Sequence, residues 1–185
     1  DSEKRVIFMF PGQGSQYPGI GSDLNSDFDA ARRIYEEASD LLGYDMAKLS
    51  FEDPDQQINL TRYTQPVLLT HQIACLSVYR ELADMPLQPM AAAGHSLGEY
   101  SALTSAGVVP MADSLRLVFK RGKLMHREAL KHKGAMSAIV GLDIEAVDAL
   151  VKTGRQTGVV SVANHNSKKQ IVITGSPEAV AAVSK

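Results

Sequence analysis

Gly94-His95-Ser96-Leu97-Gly98 fits the Gly-x-Ser-x-Gly pattern of a serine nucleophile. Glycines on both sides permit a strained strand-to-helix turn that exposes the serine oxygen. Such a turn sets Ser96 at a helix N-terminus, where unpaired backbone N–H groups can stabilise an oxyanion, and the N–H of Leu97 is the natural donor. A second reading of these residues is a glycine-rich turn with a capping serine. His95 adjoins Ser96. Neighbouring strand residues point to opposite faces, so His95 is a poor base for Ser96 and reads as a histidine fixed beneath the turn. His71, His126, His132 and His165 are scattered and read as structural or solvated. The sequence has no paired cysteines and no His/carboxylate cluster at metal-ligand spacing.

Two further positions bear on the same chemistry. On a helical wheel at about 100° per residue, Arg116, Lys120, Lys123, Arg127 and Lys131 form one stripe. Leu115, Val118, Gly122 and Met125 lie opposite, and Arg121 borders that apolar side. A guanidinium near a core needs a partner. Its partner is either a structural carboxylate or a substrate carboxylate gripped bidentately, and the spacing does not separate the two. The basic stripe reads as a solvated face, with docking of an acidic partner as a secondary role. The loop Phe10-Pro11-Gly12-Gln13-Gly14-Ser15-Gln16 lacks the lysine and spacing of a phosphate loop. It follows a strand, where α/β sheets bind ligands, so Gln13 could offer a second oxyanion N–H. A plain tight turn fits as well.

These residues need elements to position them. Val6 to Phe10 is apolar without alternation and reads as a strand buried on both faces. A helix is expected over Phe28 to Leu42, stopped by Gly43, and short helix and loop over Asp45 to Leu60. A long core helix is expected over Gln65 to Leu82, with Pro66 in its first turn. Pro86 and Pro89 mark a break before a strand at Met90 to Ala93. Helices then follow at Glu99 to Ala106 and Met111 to His132. Beyond Gly134 the pattern is strand (Ala135 to Val140), helix (Ile144 to Val151), strand (Val159 to Ala163), strand (Gln170 to Thr174) and helix (Pro177 to Val183). That is one strand short of a ferredoxin-like unit. The whole reads as α/β.

The bulk properties fit a soluble globular protein: 185 residues, 44% hydrophobic, 22% charged, formal net charge -2. That balance gives no reason to expect nucleic acid or an anionic membrane as partner. No apolar run reaches the roughly 18 residues of a membrane span. The charged start, Asp1 to Arg5, shows no signal peptide. Cys75 is the only cysteine and reads as a small core residue in a reducing compartment.

Six motifs in fixed order carry a resemblance. They are Phe10 to Gln16, Thr64-Gln65-Pro66, Gly94 to Leu103, Arg121-Gly122-Lys123, Gly134-Ala135-Met136 and Asn164 to Ser167. Together they resemble the malonyl-CoA:acyl carrier protein transacylases and the related acyltransferase domains of polyketide synthases. The resemblance implies an α/β-hydrolase-like large subdomain, here 1–132, and a partial ferredoxin-like small subdomain, 133–185, truncated at the C-terminus. It also implies Ser96 as nucleophile, and Gln13 and Leu97 as the oxyanion hole. Arg121 would hold the malonate carboxylate, and His95 would line the acyl pocket. Asn164 and Asn166 would border the channel for CoA or the carrier arm. The catalytic histidine and the rest of the large subdomain are expected past Lys185. Malonyl-CoA is then the substrate and acyl carrier protein the partner, with no metal or redox cofactor, in a cytoplasmic monomer. Alternatives are a polyketide or malonate-processing acyltransferase, a serine hydrolase or thioesterase, or a piece without turnover.

Overall fold

The computed structural model describes residues 5–83 and 88–184, so Asp1 to Lys4, Pro86 and Lys185 of the expectations above lie outside the described residues. The fold is mixed α/β and divides into two compact units, Asp1–His126 and Arg127–Lys185.

The first unit begins with β1 (Ile7–Phe10), then α1 (Ser22–Asp27), α2 (Asp29–Leu42), α3 (Met46–Phe51) and α4 (Thr61–Leu82). It continues with β2 (Ala91–Gly94), α5 (Gly98–Ser105) and most of α6 (Met111–Lys131). β1 and β2 pair in parallel, with Phe10 opposite Gly94, so both chains leave the sheet at the same end. α4 runs through the core: Val67, Leu68, Leu69, Ile73 and Ala74 are buried with Tyr35, Met46, Ile58, Leu115 and Val118.

Close backbone approach locks this end of the sheet. A side chain on Gly94 would strike the carbonyl of Gly98, and one on Gly98 would strike the carbonyls of Phe10 and Pro11. On α6, a side chain at Gly122 would meet the Thr61 carbonyl at 2.8 Å and the Arg62 Cα at 3.1 Å. Gly122 therefore lets α6 press its backbone onto the first turn of α4.

Several expectations are corrected. β1 is not buried on both faces: Ile7 is 53% and Met9 79% exposed. β2 is its only partner among the described residues. Phe8 turns inward, edge-on to Tyr79 at 5.9 Å. α4 begins one turn earlier than expected, because Thr64 Oγ1 donates to the Ile58 carbonyl (2.6 Å) and the backbone N–H groups of Tyr63 and Thr64 donate to the Leu60 carbonyl. Pro66 is therefore inside the helix rather than in its first turn. Cys75 is not a core residue. It lies on the open side of α4, in an apolar cavity of about 450 Å³ that Ile7, Phe10, His71, Gln72 and Tyr79 also line. The cavity walls desolvate the thiol and raise its pKa. Burial lowers that of His71, so the two face each other as neutral groups, Nε2 to Sγ 3.4 Å. α1 was not foreseen.

The second unit holds β3 (Ala135–Val140), α7 (Ile144–Gly154), β4 (Val160–Ser167), β5 (Gln170–Gly175) and α8 (Pro177–Val183). Its antiparallel sheet has the order β3-β5-β4. Val147, Val151, Ile171, Ile173, Ala179 and Val180 form its core. Asp143 caps α7 by accepting from the Ala146 N–H at 3.1 Å. β4 extends past its expected end at Ala163. Polar side chains on an edge strand do not interrupt backbone pairing: Asn164 and His165 pair with Val172 and Ile171, with a register shift on either side of them.

Gly98→Ala should destabilise the intact protein by about 1–3 kcal/mol, because the methyl group meets backbone that cannot move aside. A urea unfolding midpoint equal to that of the parent would show that the loop after β1 yields to the elbow.

Candidate active site

The elbow takes its shape from Ser96, whose φ is +54°, in the left-handed region that a non-glycine residue rarely adopts. β2 ends at Gly94 and α5 starts at Gly98, so the serine is the middle of the three residues between strand and helix. The backbone N–H of Gly98 donates to the His95 carbonyl (2.9 Å), and that of Glu99 to the Ser96 carbonyl (3.3 Å). The N–H groups of Leu97 and Gln13 have no hydrogen-bond partner among the described residues. The Leu97 side chain is fully buried, which fixes its backbone.

The loop after β1 is seated on the elbow. The His95 N–H donates to the Phe10 carbonyl at 3.1 Å. Gln72 Nε2, from α4, donates to the Pro11 carbonyl at 2.8 Å. Gly12 lies against His95: a methyl group at this position would come within 2.6 Å of the His95 carbonyl oxygen and 3.0 Å of its Nδ1. The Gln13 side chain turns away, donating through Nε2 to Thr61 Oγ1 at 3.1 Å. The His95 side chain is exposed rather than tucked beneath the turn.

Arg121 is half-buried. Its Nη2 donates to Ser96 Oγ at 2.9 Å, and its Nη1 donates to Gln65 Oε1 at 2.8 Å. The guanidinium also lies 6.0 Å from the Tyr100 ring centroid. No carboxylate pairs with it among the described residues. This cation therefore has neutral acceptors and no counter-charge. A serine hydroxyl has one donor and two acceptor sites. Accepting from Arg121 leaves the Ser96 proton free for a base.

Of the residues singled out from sequence, Ser96, Leu97, His95, Gln13 and Arg121 fall in the first unit, around the ends of β1 and β2. Asn164 and Asn166 lie on β4 of the second unit; Asn164 is half-buried and Asn166 Nδ2 donates to Gln170 Oε1 at 3.3 Å. Two residues were missed, Gln65 and Gln72. The available signal was an uncharged amide on the buried side of an otherwise apolar helix, which needs partners. No group of three or more His, Cys, Asp or Glu among the described residues is placed to hold a metal.

Comparison with known proteins adds the following. Residues 7–185 match the acyl transferase domain family. The chain is 44% identical over 177 residues to the malonyl CoA-acyl carrier protein transacylase of Haemophilus influenzae, covering 96% of this chain and 56% of the relative. The solved malonyl CoA-acyl carrier protein transacylase of Clostridium perfringens superposes with a TM-score of 0.90 at 36% identity, over 97% of this chain and 56% of the other. A malonyl-transacylase solved with a type II PKS acyl-carrier protein gives a TM-score of 0.87 at 44% identity, over 97% and 58%. The chain thus spans about half the length of the curated relatives it matches.

Replacing Ser96 by glycine should relieve the left-handed strain. Ser96→Gly is expected to be more stable than Ser96→Ala by about 1 kcal/mol, read from chemical unfolding midpoints. Equal stabilities would mean that the turn relaxes when the hydroxyl is removed.

Proposed function

Because the chain belongs to the acyl transferase domain family, we propose that it supplies the acyl-accepting serine of a malonyl-CoA:acyl carrier protein transacylase. The observation that carries this reading is the Arg121 cation, 2.9 Å from Ser96 Oγ and with no carboxylate partner among the described residues. An enzyme for neutral acyl groups gains nothing from a half-buried guanidinium without counter-charge. An enzyme for malonyl groups needs one near the nucleophile, because malonate keeps a free carboxylate beside the carbonyl under attack.

The chemistry is ping-pong acyl transfer. A histidine takes the Ser96 proton. Ser96 Oγ attacks the malonyl thioester carbonyl. The N–H groups of Leu97 and Gln13 hold the tetrahedral oxyanion. The C–S bond breaks and CoA leaves with the proton, giving malonyl-Ser96. The phosphopantetheine thiol of acyl carrier protein then attacks the ester, and Ser96 Oγ departs as the leaving group and recovers its proton. Arg121 holds the malonate carboxylate through both steps, and His95 lines the acyl pocket. Asn164 and Asn166 border the channel for CoA or the carrier arm.

In this reading the first unit belongs to an α/β-hydrolase-like subdomain. The second is ferredoxin-like in its β-α-β-β-α element order. The enzyme is a cytoplasmic monomer that uses no metal or redox cofactor. Transfer to a polyketide carrier protein uses the same residues.

The intact protein incubated with malonyl-CoA should gain a malonyl mass on the peptide that contains Ser96. Label on another residue would end the nucleophile assignment. Arg121→Ala should lower kcat/KM for malonyl transfer by roughly 100-fold or more while lowering acetyl transfer far less. Equal losses would make Arg121 a structural residue.

A further inference from the structure

Gln65 is fully buried on α4, and both ends of its amide are engaged on α6. Its Oε1 accepts from Arg121 Nη1 at 2.8 Å, and its Nε2 donates to Met125 Sδ at 3.3 Å. Arg121 and Met125 are one helical turn apart, so a single amide bridges both. An arginine has donors only, so the amide oxygen must face it. The nitrogen then meets the thioether, a weak acceptor. This fixes the orientation of the amide from chemistry as well as from distance.

We propose that Gln65 is the positioning residue that gives this site its preference for an anionic acyl group: a neutral acceptor that holds the guanidinium at Ser96 without cancelling its charge. The inference rests on the reading that Arg121 receives the acyl carboxylate. Any acceptor at this position would tether Arg121. A carboxylate of the same shape would also neutralise it and compete with the substrate for its fork. An apolar side chain would leave the charge but free the guanidinium to turn away. An uncharged amide of this length does both jobs, and the Met125 sulfur lets its nitrogen end be buried without a rival strong acceptor.

The test is the ratio of kcat/KM for malonyl-CoA to that for acetyl-CoA in the intact protein. Gln65→Glu should lower the ratio by roughly 100-fold, mainly through KM for malonyl-CoA. Gln65→Met keeps the charge and loses one hydrogen bond to a charged group, so its ratio should fall by about 10-fold. Met125→Leu leaves the amide less well fixed and should give a fall of about 3-fold. Equal losses for both acyl groups overturn the proposal and leave Gln65 a packing residue. An unchanged ratio overturns it as well. Should Gln65→Glu not fold, Gln65→Met decides on the same ratio. Arg121→Ala separates the two claims. If it loses both activities equally, the carboxylate reading itself fails. If it is selective and Gln65→Glu is not, only the role of Gln65 fails.

Discussion

A half-buried guanidinium must find acceptors, and among the described residues Arg121 finds only neutral ones, Ser96 Oγ and Gln65 Oε1. That single arrangement ties three elements together: the elbow before α5, the first half of α4 and the middle of α6. It depends on how closely two helices approach. With a side chain at position 122, α6 would stand off from Thr61 and Arg62, and the guanidinium would move away from the serine. The packing of a glycine thus sets the electrostatics of the site.

The serine end is built on the same principle. Gly94, Gly98 and Phe10 meet backbone to backbone, so the loop after β1 and the turn after β2 are held as one body. Two N–H groups without a partner among the described residues, those of Gln13 and Leu97, belong to that body. Buried Leu97 together with the Gln72 bond to the Pro11 carbonyl holds both amides in place, the rigidity that the proposed oxyanion role requires.

How much of this the residues disclosed in advance follows from the physics of each case. Glycines flanking Ser96 announce a tight turn because few other residues tolerate one. The departure of Arg121 from the basic stripe is visible because helical periodicity is strong over α6. Gln65 was not visible as a partner, since nothing local says which helix its amide will face. The burial of β1 was overestimated because an apolar run reports what a strand can bury, not what covers it. Cys75 was misplaced for a related reason: apolar residues cover much of the surface of α4, so the wheel does not say which side stays open. Pro66 misled because proline marks helix starts on average, whereas here Thr64 and Leu60 begin the helix earlier. The second unit was read almost element by element, because its short segments have clean boundaries. The extension of β4 is the exception, since ladder bonds do not depend on side-chain polarity.

The parallel pairing of β1 with β2 has a kinetic side. Ile7 pairs with Ala91, and between them lies the whole helical crossover from α1 to α4. Closing so long a loop carries an entropic cost that local helix formation does not. The floor beneath Ser96 is therefore a high-contact-order feature, expected to form after the helices have collapsed. A chain emerging during synthesis would show helical structure well before the Ser96 turn is in place.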